Sequence, residues 1–581
     1  RKPDTVEALV RELLGNGLEA LWNELGEVEK NAVAEAAHHP HGRFDEWGFS
    51  AKYGSMPAFS RKASDGWRTE PTLVRLFLHP AEGRTIVPRD LRVKLHEFVP
   101  KPAAAELATL KEIPRKEPRN RSSSRLDEAS KTRIYTSHDE PMVLRLAERA
   151  AFQDLRTVLR LIEQEKISVS ATTRLPSKAT MTLLNDLLRE HDFFELTPKA
   201  NSWDPEIGPV KGFSWPLLVQ AAKLAALRNG KLTLTKSGRA ALESPEAPTL
   251  RAIWRAWVEA GLIDEFSRID TIKGQKGKAA RGFTPPPVRR ATISEALAQC
   301  PAGRWVLVDE MSRYMQAAGL RFEVHHNPWA LYICDPEYGS LGYSGYGGWN
   351  ILQERYLYCL LMEYAAPLGM VDVAYEHPEG ARQDYREQWG GDQLIFLSRY
   401  DGLAYVRLTS LGAFILGKTE HYEPPVDSSS GVKLTVLANR KIQIDEGDLS
   451  PAELLLLENF AEQDEAGLWK LSEAKTLKAV EKGAKITELL GFLRGRTGQG
   501  LPESVEEFLE TMQKRGSACV SKGTALLMEC ASAEIAEAIA RDARAGRICQ
   551  RAGDRGLVVP LDKERSFREA LNAMGFGMPV V

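Results

Sequence analysis

The sequence is poor in cysteine, and its cysteines form no C-x-x-C pair. A pair at that spacing usually opens a structural zinc site, and closely spaced cysteines in a small secreted domain indicate disulfides. The absence of both patterns argues against a zinc site and a disulfide framework, and it fits a reducing cytosol. The six cysteines are Cys300, Cys334, Cys359, Cys519, Cys530 and Cys549.

The sequence also lacks a hydrophobic run that reaches the length of a membrane span, which takes about 20 apolar residues. No signal peptide is visible at the start, which leads into an amphipathic helix. The first residue is Arg1 rather than methionine, from which we expect a trimmed N-terminus. These absences predict a cytoplasmic protein, with the nucleoid as one location, and no membrane partner.

Neither sign of charge is in excess, because 77 lysines and arginines face 79 aspartates and glutamates, for a formal net charge of −2. A globally basic nucleic-acid binder is therefore excluded, whereas a local basic surface is not. Hydrophobic residues make up 43% of the chain, which is normal for globular domains with real cores. At 581 residues, the chain is long enough for about three to five domains.

Motifs of catalysis and metal binding are scarce as well. There is no G-x-S-x-G nucleophile elbow, and a single sequence assigns no Cys–His pair. Residues 38–41 read His-His-Pro-His, but metal ligands must converge, and Pro40 disfavours a helical arrangement of the three histidines. We predict a polar turn there and a loop at residues 325–328. The expectation is therefore no metal, no cofactor and no small-molecule substrate.

One motif is present letter for letter: residues 412–419 match the Walker A spacing G-x-x-x-x-G-K-[ST]. A phosphate-binding loop must bend freely so that its backbone N–H groups point at phosphate. Here residues 413–416 are wholly apolar and predict a buried helix, and two prolines follow at 424–425. A strand that resembles Walker B, at 305–310, precedes the match, which reverses the usual order. We interpret the motif as a decoy, with an ATPase that uses Lys418 as the third functional alternative.

Residues 231–242 and 405–416 repeat one pattern: a short strand, a threonine at a helix N-cap position, a glycine and an apolar helical turn. Gly412 corresponds to Gly238, which carries no phosphate-binding motif. Each segment follows a predicted long helix, at 215–229 and at 349–368. Many winged-helix domains end in this way. The copies lie too far apart for a solenoid, so they predict duplicated winged-helix modules.

Two stretches are locally basic. Residues 111–125 are basic and rich in proline and serine, and residues 273–290 contain no acidic residue. Flexible basic loops commonly touch phosphates, and a solvated interdomain loop is the alternative. The candidate DNA contacts are Lys273, Lys276, Lys278, Arg281, Arg289 and Arg290, together with Arg115, Lys116, Arg119 and Arg121.

Residues 338–349 mix glycine with aromatic side chains. Aromatic rings on a pliable loop would stack on exposed bases. The other interpretation is a structured turn that packs on the neighbouring helix. The sequence leaves both open.

The C-terminal part resembles a known family. From Lys433 onward, the order of strands, helices and apolar positions, with Leu501-Pro502 and Gly523 as its firmest points, resembles the N-terminal domain of XPB-type helicases. The upstream half resembles bacterial proteins that carry this domain without a motor. Winged helices before such a domain are also similar to a subunit of the eukaryotic transcription and repair factor that holds the XPB helicase.

The resemblance implies docking onto a helicase or a similar partner, and it carries over no catalytic residues because no credible motor core is present. We also expect the C-terminal domain to fold alone, with strands near 434–444 and 558–560 in one small sheet. A role in genome defence or repair is a hypothesis based on the systems in which such domains usually occur.

Taken together, these observations predict an α+β, mostly helical protein with tandem winged-helix modules and a C-terminal XPB-N-like α/β domain. The predicted function is a non-catalytic accessory subunit of a DNA-handling complex that binds DNA, a helicase partner or both. A pure protein–protein scaffold is the main alternative. The predicted parts are an N-terminal helical domain with short strands (1–110), a basic linker (111–133), a winged-helix-like domain (134–250), a second winged-helix-containing region with the basic loop (251–430) and the XPB N-terminal-like domain (431–581).

Overall fold

The computed structural model describes residues 17–62, 68–81, 83–114, 121–127, 132–138, 142–194, 207–392, 394–424, 432–498, 500–519 and 521–579. Its α-helices are α1 (Gly17–Glu24), α2 (Glu27–His38), α3 (Glu46–Tyr53), α4 (Arg89–Leu95), α5 (Ala147–Glu163), α6 (Lys178–Leu187), α7 (Lys211–Ala221), α8 (Lys236–Glu243), α9 (Glu246–Glu259), α10 (Pro286–Gln299), α11 (Val308–Ala317), α12 (Arg355–Cys359), α13 (Ser410–Ile415), α14 (Pro451–Phe460), α15 (Glu473–Glu481), α16 (Ile486–Arg496), α17 (Glu503–Gly516), α18 (Ala533–Arg541) and α19 (Glu564–Ala573). Among the described helices, none is long and apolar enough to cross a membrane.

The strands are short. They are β1 (Ser60–Lys62), β2 (Thr69–Pro71), β3 (His79–Ala81), β4 (Arg84–Ile86), β5 (Arg121–Asp127), β6 (Thr132–His138), β7 (Val143–Arg145), β8 (Ala225–Arg228), β9 (Lys231–Leu234), β10 (Ile272–Lys273), β11 (Trp305–Leu307), β12 (Tyr332–Ile333), β13 (Val371–Tyr375), β14 (Leu403–Leu408), β15 (Lys433–Val436), β16 (Lys441–Glu446), β17 (Ala461–Glu465), β18 (Leu468–Leu471), β19 (Ala525–Glu529), β20 (Gln550–Ala552) and β21 (Gly556–Pro560). They form sheets of two to four strands beside a larger set of helices, which confirms the predicted α+β, mostly helical class.

The chain divides into two compact units. Unit 1 comprises residues 1–435 and 444–467, and unit 2 comprises residues 436–443 and 468–581. Helix α14 belongs to unit 1, where it packs on α5. The Gln164 amide donates to the Leu455 carbonyl at 2.9 Å, and the Asn459 amide donates to Glu163 at 2.9 Å. Compact units and homologous domains need not share boundaries, so the five predicted parts stay predictions.

Unit 1 contains two segments with the same order of elements. The first runs α5, an extended stretch at residues 167–169, α6, α7, β8 and β9. The extended stretch pairs with β9 through the Ser168–Lys231 bridge, and β9 pairs with β8. The second runs α10, β11, α11, a helix over residues 350–365, β13 and β14. There β11 pairs with β14, and β14 pairs with β13, so the strand order matches. In the 350–365 helix, α12 is flanked by the π-helical segments Asn350–Glu354 and Leu360–Ala365.

The predicted repeat is confirmed in its local structure. Thr235 and Thr409 are the N-caps of α8 and α13, and their hydroxyls accept from the backbone N–H groups of Gly238 at 3.1 Å and Gly412 at 2.8 Å. Each hydroxyl also donates back across the strand pair, Thr235 to the Lys223 carbonyl and Thr409 to the Gly369 carbonyl, both at 2.7 Å. The cap therefore ties the helix start to the chain that leaves the preceding helix.

The glycine of the repeat is required by a close approach of two backbones. A Cβ on Gly238 would lie 2.0 Å from the Leu224 carbonyl oxygen, and a Cβ on Gly412 would lie 2.1 Å from the Met370 carbonyl oxygen. Both contacts are far inside van der Waals distance. The pattern Thr-x-x-Gly therefore encodes the same packing twice.

Two sequence predictions are wrong in detail. The helix predicted over 215–229 ends at Ala221, because Lys223 adopts a positive φ of 56° and β8 begins at Ala225. In unit 2, residues 441–443 pair with 468–470, whereas β21 pairs with β19 and β20. The strands near 434–444 and 558–560 therefore belong to separate sheets rather than to one.

Candidate nucleic-acid interface

The basic loop at residues 273–281 is closed at both ends by backbone pairing. At its start, β10 pairs with β12, and at its end Phe283 bridges to His325. The Thr284 N–H donates to the Val324 carbonyl at 3.1 Å. Both ends therefore meet the same stretch of chain, residues 324–333, and the loop is a fixed turn of unit 1 rather than a free connection.

Two glycines allow this turn to lie against its neighbours. Gly274 has a φ of 85°, and a Cβ there would lie 2.1 Å from the Ala330 carbonyl oxygen. A Cβ on Gly282 would lie 2.2 Å from the imidazole of His325. That ring is itself held by a 2.8 Å hydrogen bond between Nε2 and the Ala279 carbonyl. Loss of either glycine would displace the backbone that carries the basic side chains.

The four basic side chains within this loop, Lys273, Lys276, Lys278 and Arg281, all face solvent. Lys273 Nζ donates to the Asp270 carbonyl. Within the described part of the chain, none of the four is paired with a carboxylate. Unneutralised cations on a fixed turn form a surface that attracts phosphate.

Arg289 and Arg290 require a correction, because the structure buries both completely. Arg289 Nη1 donates to Asp264 at 2.9 Å, and its guanidinium lies 4.6 Å from the Tyr356 ring. Arg290 is paired with Glu265 and also donates to backbone carbonyls. The partner carboxylates lie 25 residues upstream, outside the acid-free stretch that suggested a basic surface. The two arginines stabilise the core and are removed from the candidate interface.

The Arg290–Glu265 pair is a buried ion pair completed by a tyrosine. Burial by itself lowers the pKa of Arg290, but the Glu265 carboxylate outweighs that effect, so the pKa lies above its usual value. The Tyr356 hydroxyl donates to the other Glu265 oxygen at 2.8 Å. Because every charge in this group is neutralised internally, the group offers nothing to an outside ligand.

The candidates in the basic linker lie mostly outside the described residues, which include neither Arg115 nor Lys116 nor Arg119. Arg121 is the first residue of β5, which pairs with β6. All four stay predictions.

Beside the basic loop lies a cluster of exposed aromatic rings. Trp329, Tyr343 and Trp389 are 56%, 67% and 60% exposed. Tyr343 stacks on Trp389 with ring centroids 5.3 Å apart, and Trp329 meets Tyr343 edge-on at 4.7 Å. A Cβ on Gly342 would lie 2.3 Å from the Trp329 ring. Residues 341–348 form a structured turn, as one of the two interpretations held. Of the three exposed rings, only Tyr343 belongs to the predicted segment, and it packs against Trp329 and Trp389 from outside it.

The third helix of each repeated segment is buried. In α7 every residue from 211 to 219 is buried, and in the 350–365 helix every residue from 355 onward is buried. The two helices pack together, with Arg268 between them. Its Nε lies 2.9 Å from Glu363, and its guanidinium lies 3.7 Å from the Phe213 ring. Neither helix has a free face that could enter a DNA groove.

The Walker A match does not form a phosphate-binding loop in this structure. Thr409 caps α13, so the backbone N–H groups of Ala413 and Leu416 donate to carbonyls within the helix. Phe414 and Ile415 are buried, as predicted. Lys418 Nζ donates to the Cys300 carbonyl at 2.7 Å, at the C-terminal end of α10. The Phe414, Ile415 and Lys418 side chains of the motif therefore all contact other parts of the protein.

The segment that resembles Walker B also makes contacts within the protein. Its strand ends at Leu307, and Asp309 lies in the first turn of α11. The Asp309 carboxylate accepts from Arg382 at 2.7 Å and from the Tyr358 hydroxyl at 3.1 Å. It is part of a side-chain network.

The histidine tract forms a turn whose rings bind backbone groups. His38 Nε2 lies 3.1 Å from the Val99 carbonyl, and His39 Nδ1 accepts from the backbone N–H groups of His41 and Arg43 at 3.2 and 3.3 Å. Within the described ranges, no group of three or more histidine, cysteine, aspartate or glutamate side chains is placed to hold a metal ion.

No protein-family model matches this chain, and no curated protein matches its sequence. Its function is therefore inferred from the geometry of its surfaces.

Proposed function

We propose that this protein is a non-catalytic accessory subunit of a DNA-handling complex, which binds DNA through the basic loop and docks a helicase or similar protein partner. One observation carries the proposal. Lys273, Lys276, Lys278 and Arg281 are exposed and unpaired with any described carboxylate, on a turn that is closed by backbone pairing at both ends. A preformed cationic turn binds phosphate without the entropic cost of ordering a loop.

The two repeated segments support the winged-helix part of the proposal. A winged helix runs helix, strand, helix, helix, strand, strand, and both segments follow that order. In each, the first strand pairs with the third strand, and the third pairs with the second. Both segments end in the same Thr-x-x-Gly cap, as we expect if one module was duplicated.

Docking of a protein partner is supported by an apolar surface in unit 2. Leu527 lies on β19, an edge strand of the β19–β21–β20 sheet, and is 75% exposed. Leu561 is also exposed. Apolar side chains at an open sheet edge mark a protein contact, since an unpaired edge accepts another chain. The XPB-N-like character of this region is part of the proposal.

The alternative of a pure protein scaffold is favoured by one specific observation. The helices at the groove-reading position of both modules, α7 and the 350–365 helix, bury each other. Winged helices arranged in this way use their third helices for protein packing. The ATPase alternative has no comparable support, because Lys418 is bonded to the end of α10.

The experiment is to change Lys273, Lys276, Lys278 and Arg281 together to alanine and to measure binding of a labelled DNA duplex across a salt series. Each phosphate that the variant no longer neutralises lowers the slope of log affinity against log salt by about 0.9. The matched control changes Lys62, Arg84, Arg89 and Lys101 to alanine. These four are exposed side chains in the N-terminal part of unit 1, so the control removes the same charge.

A flattened slope in the loop variant, with the control unchanged, supports DNA binding by the loop. Equal slopes in all three proteins mean that the loop is only a solvated turn. A wild-type protein that binds no duplex at any salt concentration favours the scaffold alternative.

A further inference from the structure

A second basic surface lies around the β8–β9 hairpin of the first repeated segment. Strands β8 and β9 form a hairpin with a two-residue turn, Asn229-Gly230, in which both residues have positive φ angles of 49° and 78°. That conformation matches the twist of a two-residue hairpin. The turn and both flanking basic residues, Arg228 and Lys231, are exposed.

Other basic side chains surround this hairpin. Between Gln220 and Leu242 the chain has no acidic residue. We call the exposed basic residues of the hairpin and of its neighbouring segments the wing surface. They are Arg174, Lys178, Lys223, Arg228, Lys231 and Lys236. Within the described part of the chain, none of the six pairs with a carboxylate.

Hydrogen bonds join the segments that carry most of these residues. The Val169 N–H donates to the Gly230 carbonyl at 3.1 Å, which joins the hairpin to the loop that contains Arg174. The Gln220 amide donates to the Arg174 carbonyl at 3.1 Å. Thr235, next to Lys236, donates to the Lys223 carbonyl. The basic residues are therefore held on a rigid frame rather than scattered along a mobile segment.

We propose that the wing surface binds the phosphate backbone of duplex DNA without regard to sequence. The inference rests on the proposed DNA-binding function and adds a second contact to it. Charge complementarity selects the ligand, because the surface is cationic and free of described acidic partners. Sequence independence follows from the burial of α7, which removes the element that would reach base edges, since phosphate contacts position a protein without specifying a sequence.

The test uses the full chain with Lys223, Arg228, Lys231 and Lys236 changed to alanine. These changes leave the turn residues Asn229-Gly230 and the Thr235 cap intact. We expect affinity for each of two duplexes of unrelated sequence to fall by about tenfold or more at moderate salt. We also expect the salt slope to be lower by up to about 0.9 for each phosphate that is no longer neutralised. The variant with Lys223, Lys231 and Lys236 changed to arginine and Arg228 changed to lysine keeps the charge, and we expect it to bind like the wild type.

Each outcome decides the proposal. If the wild type binds duplex and the alanine variant binds it equally well, the wing surface is overturned while DNA binding by the basic loop stands. If the wild type binds one duplex far more tightly than the other, sequence independence is overturned. Binding to vesicles that contain phosphatidylserine, without binding to duplex, overturns the choice of ligand. A wild type that binds neither overturns the wing surface and the proposed function together.

Discussion

The two copies of the strand–cap–helix repeat have the same local geometry and different surroundings. In the first copy, β9 lies in a two-stranded hairpin, with every second residue buried and the turn exposed. In the second copy, β14 lies between β11 and β13 and is buried along nearly all its length. The hydroxyl and glycine contacts are nevertheless the same within a few tenths of an ångström. The repeat is therefore the same local unit in both copies, and its neighbours decide whether it becomes an exposed hairpin or part of a core.

The surroundings of the two copies differ most clearly one turn into the helices α8 and α13. When Gly412 is aligned with Gly238, Phe414 corresponds to Ala240. Phe414 is 8% exposed, and the Arg251 guanidinium lies 4.6 Å from its ring. Ala240 faces solvent. A large apolar residue is present where the helix meets the core, and a small one where it does not.

The largest expected effect comes from this aromatic side chain. Phe414→Ala should lower the free energy of unfolding by about 3 kcal/mol, because removal of a buried aromatic ring leaves a cavity. The matched change in the other copy, Ala240→Ser, should shift it by less than about 0.5 kcal/mol, since the site is exposed. Urea unfolding followed by circular dichroism measures both. Comparable decreases in the two variants would contradict this difference in surroundings.

Substitution of the two repeat glycines tests whether the two copies share the same packing. Gly238→Ala and Gly412→Ala each place a methyl group about 2 Å from a backbone carbonyl oxygen, so each should cost roughly 1–3 kcal/mol by overpacking. As a control, Gly230→Ala adds a methyl group where nothing lies within 4 Å, and its cost comes only from the positive φ. If either Gly238 or Gly412 accepts alanine without a decrease in stability, the two copies do not share one packing.

The smallest effect is expected at Lys418, the lysine of the Walker A match. Lys418→Ala removes hydrogen bonds to the last carbonyls of α10, including Cys300. Because the side chain is exposed, the cost should stay under about 1 kcal/mol. Isothermal titration with ATP and Mg²⁺ should show no binding to the wild type. Micromolar ATP affinity that disappears in the variant would restore the ATPase alternative.

Local features were predictable from the sequence because their causes are local. A threonine three residues before a glycine encodes both a cap and a close backbone approach, so the repeat at 231–242 and 405–416 could be found by comparing letters. Of the four apolar residues inside the Walker A match, Ala413, Phe414 and Ile415 are buried as predicted, and Leu416 is half-buried. The exposure of Lys273 to Arg281 followed from glycines and lysines in a stretch without hydrophobic periodicity.

The pairing of charged residues that lie far apart in the sequence could not be predicted in the same way. Arg289 and Arg290 follow the same acid-free stretch as the loop lysines, yet Asp264 and Glu265 neutralise them inside the core. No spacing rule links residues that far apart. The basic wing surface was missed for a related reason, since its members come from two separate segments, although the acid-free stretch from 220 to 242 was a signal that could have pointed to it.

By itself, the sequence determined the α+β class, the duplicated strand–cap–helix units and the burial of the apolar residues 413–415 inside the Walker A match, because caps, turns and apolar runs act within a few residues. Only the tertiary structure decided that α7 and the 350–365 helix bury each other and that Arg289 and Arg290 turn inward. The physical reason is that burial and charge neutralisation depend on which surfaces meet, and those surfaces are distant in sequence. The exposure of β9 and the burial of β14 were decided in the same way.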